Sequence, residues 1–150
     1  MAATLTNLII HVVFSTKDRA GFLTEEIRPK MIAYIIGILR GEGAQPIQQG
    51  GVADHLHLLA KFPPSVSVSE MMQKVKGNAS HWINDQGWLK QPFAWQRGYA
   101  AFSVSQSQLS RVAQYIAEQE QHHQKTSFQE ELIKLLVKHK VDYDEKYLWT

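Results

Sequence analysis

His55-Leu56-His57-Leu58-Leu59-Ala60-Lys61-Phe62 reads as a strand, and the way its side chains divide decides the fold. Successive side chains on a strand point to opposite faces, so His55 and His57 share one face and Leu56 and Leu58 the other. The two leucines suit a helix-covered core, which sets both imidazoles on the opposite face of a central strand. Pro63-Pro64 stops this strand, because proline has no N–H to give to a ladder. Upstream, Gly50-Gly51 predicts a turn, with Ala44 to Gln49 as a short strand before it. Further back, Leu5 to Ser15 is rich in Ile and Val and reads as the first strand. After Thr24, Ile27, Met31, Tyr34, Ile35, Ile38 and Leu39 recur at helical spacing until Gly41 and Gly43 end the pattern. Downstream, Ser67-x-x-Glu70 is a capping box that opens a second helix with the stripe Val68, Met71, Met72, Val75, Ala79, Trp82 and Ile83. Tyr99 to Ser105 reads as a fourth strand. The order is β-α-β-β-α-β, the ferredoxin-like arrangement of an α+β fold. It predicts an antiparallel sheet with its first and third strands central and both helices on one face. Two additional C-terminal helices, Gln108 to His123 and Ser127 to Lys140, are expected to help cover the other face. The whole chain, 1–150, is expected to form one domain: a core over about 5–105, with the last two helices in 107–150.

Composition removes several chemistries. Sixteen Lys+Arg against 14 Asp+Glu leave +2, which excludes a polycation and an acidic disordered tail. There is no Cys, so thiolate zinc sites, iron–sulfur clusters, disulfides and cysteine nucleophiles are all excluded. Any metal must sit on nitrogen and oxygen. No G-x-S-x-G, G-x-x-x-x-G-K-[ST] or G-x-G-x-x-G occurs, so serine-hydrolase, P-loop and Rossmann readings have no anchor. The third strand also lacks the aromatic signature of an RNA-recognition module. The first basic residue is Lys17, and His11 interrupts the apolar run Leu8 to Phe14. No signal peptide or membrane span is expected, and the expected location is the cytoplasm.

Two stretches could carry chemistry together. Two imidazoles one pleat apart can chelate a divalent ion; the plain alternative is a pair of polar residues on a half-exposed strand. In the segment 108–123, Leu109, Val112, Ala113 and Ile116 form an apolar stripe, flanked by Tyr115, Gln119 and His122. If that helix covers the histidine face, Tyr115 is placed as a nucleophile and Gln119 as a carbonyl donor to the same metal. Lys17, Arg19, Lys74, Lys76, Trp95 and Arg97 could contact phosphates or stack bases, or simply be a solvated surface. Asp142-Tyr143-Asp144-Glu145 lacks the glycine of a calcium loop and reads as solvent-facing.

These pieces together resemble the HUH-type single-tyrosine transposases of the insertion-sequence-200 kind, small bacterial DNA transposases. Five segments carry the resemblance in order: Ile10 to Lys17, Gly50 to Leu59, Val68 to Gly77, Trp95 to Tyr99 and Tyr115 to Gln119. The resemblance implies an enzyme that cleaves and rejoins single-stranded DNA, often beside a hairpin at an element's end. His55, His57 and Gln119 would match the ligands of a divalent metal, Mg²⁺ or Mn²⁺, and Tyr115 the nucleophile that forms a 5′-phosphotyrosine. Such a ligand set has no negative charge and is expected to bind metal weakly until a phosphate adds its own. A homodimer is expected, with the resemblance favouring sites that combine one chain's histidines with the other chain's tyrosine. A domesticated relative acting on repeated genomic hairpins, or a non-catalytic nucleic-acid-binding module, are the alternatives. The joint presence of His55, His57, Tyr115 and Gln119 argues against a pure binder.

Overall fold

The structure is a computed structural model that describes residues 3–149. Strands β1 (Leu8–Ser15), β2 (Gln45–Val52), β3 (His55–Phe62) and β4 (Ala100–Ser103) make one antiparallel sheet in the order β2-β3-β1-β4. Helices α1 (Ile27–Gly41) and α2 (Val68–Gln86) pack on one face, so the ferredoxin-like arrangement stands. Val12, Phe14, Leu56 and Leu58 from the central strands meet Met31, Ile35 and Leu39 of α1 and Met71, Val75 and Ile83 of α2. Each large side chain fully buried there contributes about 1.5–3 kcal/mol of transfer free energy. The α2 cap forms as its sequence dictates: Ser67 Oγ accepts from the Glu70 N–H at 3.1 Å, and Gly87 ends the helix at φ 72°. No helix among the described residues is long and apolar enough to cross a membrane.

The β2–β3 turn lies at 53–54, and Gly50 and Gly51 are inside β2 rather than at the turn. The glycines serve close approach. A Cβ at Gly50 would stand 2.6 Å from the backbone oxygen of Ile116 in helix α3 (Leu109–Ala117), and one at Gly51 would strike the His55 carbonyl. Gly50 therefore lets the helix that carries Tyr115 lie against the sheet. Gly50→Ala is expected to cost about 1–3 kcal/mol by overpacking and to displace α3. A lower denaturation midpoint together with reduced DNA cleavage would be the result; full stability would refute the close-approach argument.

The second face is covered by two satellite clusters. Ile9, Leu59 and Val104 pack on Ile116, with Leu109, Val112 and Ala113 beside them. Val13 and Phe102 pack on Phe128, Leu132 and Leu136 of α5 (Phe128–Lys138). The helix expected over 108–123 is broken instead: Glu118, at φ −101° and ψ 20°, separates α3 from the single turn α4 (Gln119–His122). Neither Gly nor Pro marks the break in the sequence. Helix α5 opens on its capping box, with Ser127 Oγ accepting from the Glu130 N–H at 3.2 Å. A last turn, α6 (Glu145–Leu148), follows the exposed Asp142 to Asp144 stretch.

Candidate active site

Because α3, α4 and α5 close over the sheet, the histidine strand is sealed rather than half-exposed. His55 and His57 are 0% exposed and Gln119 is 1% exposed. The pleat directs both imidazoles toward α5, where Glu131, 4% exposed, receives them. His57 Nε2 lies 3.0 Å and His55 Nε2 3.1 Å from Glu131 Oε1. On the other oxygen, Oε2 accepts from Gln119 Nε2 at 3.0 Å and from the Tyr115 hydroxyl. One carboxylate thus joins both histidines to the tyrosine and the glutamine. Glu131 is the anionic group beside the candidate ligands that the sequence reading left out.

The proton positions follow from the partners. His55 Nδ1 faces Asp54 Oδ1 at 2.7 Å, while its Nε2 faces Glu131 and, at 3.2 Å, Gln119 Oε1. Gln119 Nε2 donates to Glu131, which turns its Oε1 to His55; every neighbour of the ring is then an acceptor, so both ring nitrogens donate and His55 is an imidazolium. Burial opposes that charge, but the hydrogen bonds to Asp54 and Glu131 outweigh it and hold the His55 pKa above its ordinary value. Burial dominates at His57 and lowers its pKa. A neutral His57 donating from Nε2 leaves Nδ1 to accept from His11 Nε2, 2.8 Å away. For Glu131, burial pushes the carboxyl up, yet His123, His55 and His57 hold it far below the usual carboxylate range. His123 Nε2 sits 3.1 Å from Glu131 Oε1. Burial, then the Glu131 hydrogen bond and charge, raise the Tyr115 hydroxyl well above its ordinary value. The tyrosine is held protonated.

His11, 2% exposed, has its pKa pushed down to about 3 by burial and then by the adjacent His57. Below pH 6.5 the unfolded chain takes up a proton that His11 refuses until about pH 3, so this group makes stability fall as pH falls. The slope is about 1.4 kcal/mol per pH unit for one such group. Glu131 acts in the same direction, since a depressed carboxyl stabilises above its unfolded pKa and loses that on acidification. Thermal melts between pH 7 and pH 4 are expected to show this decline, and His11→Asn to flatten it. An equal slope in the variant would assign the acid sensitivity elsewhere.

Of the sequence-derived candidates, His55, His57, Tyr115 and Gln119 converge within a single chain, and the Tyr115 ring stands 5.8 Å from that of His57. His122 also follows the expected stripe, its ring 4.7 Å from Tyr115. The six basic and aromatic candidates do not join this cluster. Lys76 Nζ donates to Gln96 O and Gly98 O at 2.8 and 2.6 Å, and Trp95 Nε1 donates to Lys76 O at 3.1 Å, fastening the 93–99 loop to α2. The Trp95 ring packs on Phe14 and Phe93. Lys74 pairs with Glu42 at 3.0 Å, and Arg19 lies 5.6 Å over the Trp149 ring. Lys17 and Arg97 are exposed.

The donor chemistry suits a divalent ion. One ligand atom from each of His55, His57 and Glu131 lies within 4.8 Å of the others, and Gln119 adds an oxygen beside them. Two imidazole nitrogens with carboxylate and amide oxygens fit a first-row ion or Mg²⁺.

Comparison with known proteins matches the arrangement. The family model described as "Transposase IS200 like" matches residues 4–119. The chain is 29% identical over 124 residues to the transposase for insertion sequence element IS200 of Salmonella typhimurium, covering 79% of this chain and 81% of that one. The Salmonella typhi protein of the same description matches equally. Among solved structures, a putative transposase from Deinococcus radiodurans superposes with a TM-score of 0.66 at 22% identity, over 79% of this chain and 95% of that one. A REP-associated tyrosine transposase bound to a REP hairpin gives 0.63 at 14% identity, over 82% and 72%. These two share the fold. With most of its length matched, including the histidine strand and the tyrosine helix, the chain belongs to the IS200-like transposase family.

Proposed function

We propose that this chain cleaves and rejoins single-stranded DNA at element ends through a 5′-phosphotyrosine at Tyr115. The observation that carries the reading is the convergence of Tyr115, His55 and His57 on the two oxygens of Glu131. His55, His57 and Gln119, with Glu131 Oε1, are the groups to hold a divalent metal, Mg²⁺ or Mn²⁺. When bound, that ion supplies Lewis-acid polarisation of a phosphate oxygen. Both histidines carry an Nε2 proton toward Glu131, so His55 must give its proton up and His57 must move its own to Nδ1, with His11 turning from donor to acceptor; metal uptake therefore releases a proton.

The tyrosine's own chemistry follows from its partner. A protonated phenol is a poor nucleophile, and the Tyr115 hydroxyl already donates to Glu131 Oε2. In the forward step the Tyr115 Oη–P bond forms, the P–O3′ bond breaks, the phenolic proton is lost to solvent while Glu131 Oε2 holds the hydroxyl in place, and O3′ leaves with a proton from solvent. A phosphodiester is exchanged for a phosphotyrosine, so rejoining needs no nucleotide hydrolysis. That the solved REP-associated neighbour is bound to a hairpin supports hairpin-bearing DNA as substrate, and the location we propose is the cytoplasm.

The test is incubation with single-stranded element ends and Mg²⁺ or Mn²⁺, followed by a denaturing gel. A covalent protein–DNA band in the presence of metal supports the reading, and its absence with a folded protein rejects it. Moving a DNA segment takes two breaks, so we propose a homodimer, in line with the symmetric pairing most oligomers use. Mixing His57→Ala with Tyr115→Phe chains then distinguishes the two site compositions. Recovered cleavage marks sites shared between chains, and a dead mixture marks sites made within one chain, the arrangement that the distances within this chain favour.

A further inference from the structure

A cavity of about 370 Å³ opens between α3 and α5 and reaches Tyr115 and Glu131 from outside without touching His55 or His57. Its rim carries Arg111, one turn before Tyr115 on α3, and Lys134 and Lys138 on α5. The two lysines are one helical turn apart, about 6 Å along the axis. All three cations are exposed, and none has an ion-pair partner among the described residues. Glu131 is the one carboxylate in the lining, and its charge is already taken up by the histidines. In the wall, His122 Nε2 is buried without a hydrogen-bond partner. Three uncompensated cations around an opening that ends at a hydroxyl nucleophile suit an extended polyanion better than a solvated surface.

We propose that this cavity binds the sugar–phosphate backbone of single-stranded DNA beside the scissile phosphate, with Arg111, Lys134 and Lys138 as its phosphate contacts. The inference rests on the functional reading above and names the path by which the strand reaches Tyr115. Phosphate contacts of this kind position a strand without reading its sequence. They therefore act on the single-stranded extension and not on the folded hairpin.

The test uses the full chain with Tyr115→Phe, so that binding is read without cleavage. Fluorescence anisotropy compares a labelled hairpin alone with the same hairpin carrying a single-stranded extension. Combined Arg111→Glu, Lys134→Glu and Lys138→Glu is expected to weaken binding of the extended DNA at least tenfold and to leave the bare hairpin within about twofold. The salt slope for the extended DNA should fall by about 2, at roughly 0.7 per single-strand phosphate contact. Lys30→Glu, Arg40→Glu and Lys90→Glu together make the same charge change at exposed residues outside the cavity. An equal loss there would reduce the effect to net charge and overturn the proposal. So would an unchanged preference for the extension in a cavity variant whose circular dichroism is native. If the parent chain bound no single strand at all, the functional reading itself would fall, a result separable from loss confined to the cavity variant.

Discussion

Tyr115→Phe is expected to abolish the covalent protein–DNA adduct and to lower strand cleavage by on the order of a thousandfold or more, the scale seen when a covalent nucleophile is removed. The substitution deletes one hydroxyl whose contact is the Glu131 carboxylate, and that carboxylate keeps its two histidines and Gln119. Stability should change by about 1–3 kcal/mol, the range for losing a hydrogen bond to a charged group. The remaining tyrosines offer no replacement. Tyr34 stacks on Trp82 at 4.5 Å on the opposite face of the sheet, and Tyr99, Tyr143 and Tyr147 lie outside the cluster. A cleavage rate within tenfold of the parent would remove Tyr115 from the reaction.

The second large effect is on the metal groups. His57→Ala should eliminate cleavage while hairpin binding stays within about twofold of the parent. Calorimetric titration with Mn²⁺ gives a readout free of DNA. There His57→Ala should lose binding, and Glu131→Gln, which keeps the shape and removes the charge, should weaken it on the order of 10–100-fold. Native folding with lost hairpin binding in His57→Ala would make these histidines DNA-reading groups. Unchanged Mn²⁺ affinity in Glu131→Gln would take the carboxylate out of the ligand set.

The parts of this site that are legible in the sequence are those where periodicity is strict. Alternation along His55 to Phe62 assigns both faces of β3, and the 3.6-residue stripe around Ile116 puts Tyr115 on the flank of a packed helix. The Gly50-Gly51 pair misleads because glycine serves two purposes, sharp turning and close packing, and only the position of α3 reveals which one applies. Glu131 escapes notice for a different reason. Phe128, Leu132, Leu135 and Leu136 make the apolar stripe of α5, and position 131 belongs to the same i, i+3, i+4, i+7 face. A carboxylate in such a slot is the signal: an ionised group there must be paired or hydrogen-bonded, because burying it alone costs too much. Its partners in β3 are 74 residues away at His57 and 76 at His55, and 12 and 16 residues away at Gln119 and Tyr115, so no local pattern joins them. The family match ends at Gln119 as well, leaving α5 outside it. Lys76 and Trp95 show the converse. Their residue types suit nucleic acid, but the folded chain uses their polar atoms to hold a loop.

Peptide mapping of the adduct tests the central claim most directly. The parent chain is reacted with single-stranded element ends and divalent metal, the DNA is trimmed by nuclease, and tryptic peptides are analysed by mass spectrometry. The residual nucleotide is expected on the peptide 112–125, between Arg111 and Lys125, with fragmentation placing it on Tyr115. A nucleotide on Tyr99, Tyr143 or Tyr147, or cleaved DNA with no tyrosine-linked nucleotide on any peptide, would contradict the account.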